Sequence, residues 1–330
     1  MKFAPIIYLI GMLLCILSLF MLVPAFVDWF YGSENWPAFV GSSMATLFVG
    51  SILFLTNKGS ATEHLELRQA FLLTNSAWIS IALFGSLPFL LSDVDMNFID
   101  AFFESTSGIT TTGATVIENL ETKSYGILIW RALLQWLGGV GIIVMALAVL
   151  PMLSIGGMQL FKTESYETPD KVVPKAASFA AGISIVYITL TIIWAFMLWG
   201  AGMSIFDSIA HAMTTLATGG YSTKSESLAA FNSSTIEIII IFGMLVGSLP
   251  FVHYLTITKN GIKNLIKDDQ VKLFLTLIFF VVLIMSLYLS SNNIPYLEAL
   301  RLASFNVISI ITGTGFGTSD FNNWGGFPTT

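Results

Sequence analysis

The sequence predicts an all-α polytopic membrane protein built on a recurring unit. Each unit is a full span, a short re-entrant segment, a Thr/Gly loop and a return span. Three observations predict it. Of 330 residues, 55% are hydrophobic and only 10% are charged, whereas a soluble domain carries about 25% charged residues. Several apolar runs approach or exceed the roughly 18 residues that a helix needs to cross about 30 Å of hydrocarbon. Three further apolar segments are too short to cross, and each ends in a loop of threonine and glycine. None of the runs alternates polar with apolar residues, so they read as helices and not as strands of a transmembrane barrel.

Two spans open the chain, at about Pro5–Val27 and Pro37–Thr56. Lys2 before an apolar stretch has the outline of a signal peptide. The stretch is too long, lacks a small-residue cleavage site and feeds into further spans, so it reads as a retained helix. The single cysteine, Cys15, forms no intrachain disulfide and reads as an inert packed residue. The first unit then runs through a span at Ala70–Leu91, a short segment at Phe98–Ile109, a loop at Thr110–Thr115 and a return span at Ser124–Leu150. The second has its span at Ala176–Gly200, short segment at Ile205–Leu216, loop at Ala217–Thr223 and return span at Ser234–Ile257. The third has a span at Val271–Ser290, a short segment at Tyr296–Ile311 and a loop at Thr312–Ser319. The chain divides accordingly into residues 1–69, 70–165, 166–270 and an incomplete 271–330.

Apolar segments of 10–14 residues suit re-entrant helices. Non-helical backbone at membrane depth survives only where it is buried in protein or lines water. A short helix followed by a Gly/Thr loop, repeated, therefore points to a water-filled path lined by loops. The three loops align on Gly113, Gly220 and Gly315. The same register brings together Glu104, His211 and Asn306, and the hydroxyls of Ser107, Thr214 and Ser309. Internal repeats of this kind are a building principle of membrane transport folds.

A dehydrated cation needs oxygen ligands on several sides, and backbone carbonyls of an extended loop supply them. Glycine permits the dihedrals that such a loop requires. The candidate ion-binding residues are Thr111, Thr112 and Gly113, Thr218, Gly219 and Gly220, and Gly313, Thr314 and Gly315. Thr110, Ala114, Tyr221 and Phe316 are the expected supports, the two aromatics wedging their loops against the helices. Each short helix directs its partially negative C-terminal end at the path, which favours cations. One Thr-Gly loop alone is a common turn; three in register between full spans carry the inference.

Charge sets the topology. Lys2, Lys58, Arg68, Lys162, Lys171, Lys175, Lys259, Lys263, Lys267 and Lys272 lie in one set of alternate loops, against Lys123 and Lys224 in the other. The positive-inside rule then puts the N-terminus and the loops near 57–69, 151–175 and 259–272 in the cytoplasm. The opposite side is left rich in acid, including Asp28, Glu104, Glu121, Asp207 and Glu237, as in a vestibule that concentrates cations.

These motifs resemble the Trk/Ktr/HKT potassium transporter family. The resemblance is carried by Ser107 to Ala114, by Gln135-Trp136-Leu137-Gly138-Gly139-Val140-Gly141, by Ala217 to Ser222 and by Ile311 to Gly317, and it extends over the whole chain. It implies potassium uptake, helix–pore loop–helix repeats of pseudo-fourfold type, a pore in each subunit and a homodimer. It also implies a cytosolic nucleotide-binding regulator with RCK domains, of the TrkA type. The expected setting is the inner membrane, among its lipids, with no cofactor beyond the potassium ions carried as substrate and no nucleic acid. Three loops do not close a fourfold ring, so the sequence reads as a fragment of a longer chain. Gly113 places it with the potassium-selective type, since sodium-carrying plant relatives have serine there.

Arg131 reads as snorkelling or pairing with an external acid, and Arg301 as pairing with Glu298 three residues before it. Glu104 and His211 read as buried hydrogen-bonding groups behind the loops. The lysines between Lys259 and Lys272 form a basic face for topology or lipid headgroups, with docking of a regulator as the sharper reading. An enzyme is not expected, since no catalytic pair, HExxH or P-loop is present. The rival readings are an ion-coupled secondary transporter and a non-conducting subunit.

Overall fold

A computed structural model describes residues 3–60, 67–153, 172–251, 253–255, 263–319 and 324. Regular structure among them is entirely helical. The elements are α1 (Ala4–Phe30), α2 (Trp36–Thr56), α3 (Leu67–Gly85), α4 (Leu87–Leu91), α5 (Phe98–Ile109), α6 (Tyr125–Leu153), α7 (Val172–Gly200), α8 (Ile205–Leu216), α9 (Ser234–Ser248), α10 (Lys263–Lys267), α11 (Asp269–Ser291) and α12 (Tyr296–Ile311). Five stretches among the described residues are long and apolar enough to cross a membrane: Ala4–Phe30, Trp36–Thr56, Arg68–Leu91, Ala180–Gly200 and Asp269–Ser291. Residues 256–262, which include Lys259 of the basic face, and residues 154–171 lie outside the described residues.

The chain divides into two compact units. One comprises Met1–Thr110, Ala114–Glu118 and Thr122–Ala181; the other comprises Thr111–Gly113, Asn119–Glu121 and Gly182–Thr330. The tip of the first loop thus belongs with the second and third loops.

In the first unit, α1 and α2 cross where glycines remove side-chain bulk. A Cβ on Gly11 would stand 2.8 Å from the Gly50 carbonyl oxygen, and one on Gly50 would stand 3.0 Å from that of Gly11. Small residues let helices approach this closely in lipid. The Ser43 hydroxyl adds a 2.7 Å bond to the Ser18 carbonyl. Asp28, fully buried near the end of α1, accepts the Gly126 backbone N–H at 2.5 Å and the Ser124 hydroxyl at 3.1 Å. It therefore caps the return helix α6, whose first N–H groups have no intrahelical partner.

Two predicted spans are broken. The span expected at Ala70–Leu91 is interrupted at Ser86, two residues before Pro88, which has no N–H to continue the ladder. There the Phe89 N–H turns to the Ser86 carbonyl, and the Gly85 carbonyl accepts the Trp130 indole N–H at 3.0 Å. The return span expected at Ser234–Ile257 ends as a continuous helix at Ser248, because Leu249 precedes Pro250 and is extended, with ψ 150°. The Tyr254 hydroxyl donates at 2.8 Å to the Val246 carbonyl, one of the acceptors a helix end leaves open. The segments expected to re-enter match the prediction: α5 and α8 have 12 residues each and α12 has 16.

Candidate ion-conducting site

Two of the three short helices, α5 and α8, begin with side-chain caps. Asn97 accepts the Asp100 N–H at 3.0 Å and Ser204 accepts the Asp207 N–H at 3.0 Å, as N-cap residues do. Their last residues, Ile109, Leu216 and Ile311, lead directly into the three loops. Helix termini carry partial charge, negative at the C-terminal end.

Each loop places two residues in the left-handed region, two positions apart. Thr111 and Gly113 have φ of 56° and 82°, Thr218 and Gly220 have 50° and 75°, and Gly313 and Gly315 have 73° and 84°. The pattern follows the register read from the sequence. Glycine adopts this region freely, whereas a non-glycine residue pays about 1–2 kcal/mol for it. Thr111 and Thr218 therefore hold local strain where the third loop has glycine.

Within the second unit the three loops meet. A Cβ built on Gly113 would overlap the carbonyl oxygen of Gly219 and stand 3.7 Å from that of Thr314. A Cβ on Gly220 would overlap the Thr314 carbonyl oxygen and stand 3.3 Å from the carbonyl carbon of Gly315. Backbone oxygens of one loop thus lie against the glycines of the next, in space that only hydrogen leaves open.

The residues in register before the glycines hold the outgoing arms. Glu104, fully buried, accepts the Thr115 hydroxyl at 2.9 Å, the Val116 N–H at 3.0 Å and the Arg131 Nε–H at 2.7 Å. Arg131 is also buried, with 1% of its side chain exposed, so it pairs inside the protein and does not snorkel. His211 stands 3.0 Å from the Ser222 hydroxyl. The Asn306 amide N–H groups reach the hydroxyls of Thr318 and Ser319 at 3.2 and 3.3 Å. The hydroxyl register holds in the first and third loops and not in the second. Ser107 donates to the Ala114 carbonyl at 2.6 Å and Ser309 to the Phe316 carbonyl at 2.7 Å. Thr214 instead bonds back to the Ala210 and His211 carbonyls of its own helix. Tyr221 and Phe316 are both buried. Phe316 packs beyond its own helix, with its ring 6.0 Å from that of His211 on α8.

A collar of hydrogen bonds ties the arms in sequence, and the sequence reading missed it. The Ser225 N–H and hydroxyl both donate to the Glu121 carboxylate at 2.7 Å, and the Leu120 N–H donates to Ser225 Oγ at 3.0 Å. These bonds hold the Glu121 carboxyl below its ordinary range, the Ser225 hydroxyl contributing most. Further on, the Gly317 N–H donates to Ser227 Oγ at 3.2 Å, and the Gly317 carbonyl accepts Leu228 N–H at 3.1 Å. Non-glycine φ values above zero at Asn119, Ser227 and Asn232 mark these turns; two asparagines were the available signal.

The vestibule expectation needs correction for two acids. Asp28 and Glu237 are buried, and each has a structural partner; Glu104 is buried and hydrogen-bonded, as expected of it. Arg301 reaches across to Ser234 Oγ at 2.7 Å and Glu237 at 3.6 Å, and not to Glu298 as predicted. The tertiary approach of α9 to α12 overrides the local i, i+3 spacing.

The model of the TrkH family, described as a cation transport protein, matches residues 36–327. The Trk system potassium uptake protein TrkI of Halomonas elongata is 36% identical over 98% of this chain and 66% of its own length. The Trk system potassium uptake protein TrkH of Vibrio parahaemolyticus is 38% identical over 98% of this chain and 68% of its own. The crystal structure of the potassium transporter TrkH from Vibrio parahaemolyticus superimposes with a TM-score of 0.90 at 36% identity, covering 98% of this chain and 68% of that one. The chain thus spans about two thirds of the length of these relatives.

Proposed function

Because this multi-pass, all-helical chain belongs to the TrkH cation transport family, we propose that it forms the potassium-conducting subunit of a Trk-type uptake system. The observation that carries the reading is the meeting of three glycine-bearing loops, each fed by the C-terminal end of a short helix. In this reading the carbonyls of Thr111 to Gly113, Thr218 to Gly220 and Gly313 to Gly315 replace the hydration shell of the ion. Thr110, Ala114, Tyr221 and Phe316 hold those strands in place. The negative ends of α5, α8 and α12 favour a cation in the path. Potassium is cargo, and the path needs no cofactor.

The subunit works as a homodimer in the inner membrane, its N-terminus cytoplasmic, with a cytosolic RCK-type regulator of nucleotide-binding class. Support for the orientation is the lysine and arginine asymmetry of the loops. Support for the dimer and regulator is the family resemblance.

The test is Gly113→Ser in the full chain, expressed in a bacterium lacking its own potassium uptake. A serine Cβ there runs into the Gly219 carbonyl at a φ of 82°, so the first loop must shift. Sodium uptake relative to rubidium uptake is expected to rise at least several-fold. An unaltered ratio at normal membrane abundance would overturn the assignment of these loops as the filter.

A further inference from the structure

We propose that His211 is a specificity-determining positioning residue, a neutral imidazole that fixes the outgoing arms of the second and third loops together without touching the ion. The inference rests on the pore reading above and adds a residue role to it. His211 is fully buried in α8. Its Nδ1 lies 2.8 Å from the Asp207 carbonyl oxygen, which only accepts, so Nδ1 carries a proton. Its Nε2 lies 3.0 Å from Ser222 Oγ. In the neutral ring Nε2 is an acceptor, and the Ser222 hydroxyl donates to it. Ser222 Oγ in turn accepts the Lys224 N–H at 3.0 Å. The chain of bonds therefore has one direction, from Lys224 N–H through Ser222 and His211 to the Asp207 carbonyl. It spans the turn from the end of the second loop back to the first turn of its helix. A proton on Nε2 would put a full charge into the protein interior, which is costly; the Asp207 carboxylate and Lys224 are the charged groups that act on the ring.

The faces of the same ring meet other elements. Phe316, the residue after Gly315, lies 6.0 Å away at 36°, and Phe231 lies 5.2 Å away edge-on at 90°. Phe316 is itself held by the Ser309 hydroxyl on its carbonyl. One side chain thus sets the position of Ser222, two residues past Gly220, and of Phe316, one residue past Gly315. Gly220 is the glycine against which the Thr314 carbonyl lies. A change in the ring is felt where those two loops meet. Glu104 bonds the arm of the first loop with a carboxylate, and Asn306 that of the third with an amide; His211 reaches the arms of two.

The experiment compares His211→Phe, His211→Gln and Ser222→Ala in the full chain, reading the rubidium-to-sodium uptake ratio alongside membrane abundance. Phenylalanine keeps the ring contacts and removes both hydrogen bonds; glutamine restores an acceptor near Nε2. Loss of one such bond corresponds to about a two- to tenfold change in ratio. His211→Phe and Ser222→Ala are expected to lower the ratio by that much at near-normal abundance, and His211→Gln to recover most of it. If His211→Phe fails to accumulate, Ser222→Ala decides alone. A ratio equal to that of the parent in Ser222→Ala, or loss of abundance and flux with no change of ratio, overturns the proposal. The Gly113→Ser variant separates the two readings. If it shifts the ratio and the His211 and Ser222 variants do not, only the role of His211 fails; if none shifts it, the filter assignment fails with it. Nitrogen NMR of the labelled ring adds a direct check, with a proton expected on Nδ1 and none on Nε2.

Discussion

Glu104 and Arg131 show how a buried charge is made useful. Neither is exposed by more than 1%, and an ionisable side chain inside a membrane protein pairs or is costly. The carboxylate takes three donors, two of them on the arm that follows Gly113. Its pairing with Arg131 sets an opposite charge 2.7 Å from that carboxylate at the back of the loop. Arg131→Met should therefore destabilise the protein by about 3–5 kcal/mol, the usual result of removing one partner of a buried pair. Glu104→Gln in the same chain should recover much of the loss, since it removes the stranded charge. Thermal unfolding of the purified protein in detergent reads both, and a single variant as stable as its parent would show the pair to be dispensable. Nothing in the spacing of residues 104 and 131 announced the pair. Arg131 was legible as a charge needing a partner, and Glu104 as a polar residue on a re-entrant helix, but only the packing of α5 on α6 joins them.

At the scale of the helices, the short segments were the most legible part of the chain. Asn97 and Ser204 stand three residues before Asp100 and Asp207, so both starts carry a capping signal, and the Thr/Gly loops supply the stops. The breaks at Ser86 and Leu249 were written as Pro88 and Pro250, yet the apolar runs continue through both, and hydropathy alone joins what proline separates. The close approach of return helix to short helix is a further contact that no local pattern reveals. Gly138 faces the Ile109 carbonyl, and Gly247 faces that of Leu216, each at the last residue of the short helix it braces. Gly247→Ala puts two rules in conflict. Helix propensity favours alanine by up to about 1 kcal/mol. The added Cβ would stand 2.8 Å from the Leu216 oxygen and 3.2 Å from its Cα, all backbone that does not yield, and overpacking costs about 1–3 kcal/mol. The expected outcome is a lower thermal midpoint; a higher one would mean that the helices separate without penalty.

For the molecule as a whole, the orientation proposed from the charge asymmetry is open to direct labelling. In a Cys15→Ser background, Glu226→Cys should react with a membrane-impermeant maleimide applied to intact spheroplasts, and Lys58→Cys only after permeabilisation. Both positions are exposed, so the reverse pattern would invert the topology. Internal repetition was readable because glycine, threonine and the short apolar segments recur at matching intervals. The collar through Glu121, Ser225, Ser227 and Gly317 was not, because each of its bonds joins turns from different repeats. The brackets behind the loops, a carboxylate, an imidazole and an amide, are chemically unlike. In an assembly of identical subunits every inherited change is copied to all sides of the conduit at once. Here a codon change enters at one bracket, reaching one loop's arm through Glu104 or Asn306 and two through His211, so in the proposed pore selection has access to graded, asymmetric adjustments that a homomeric ring cannot express.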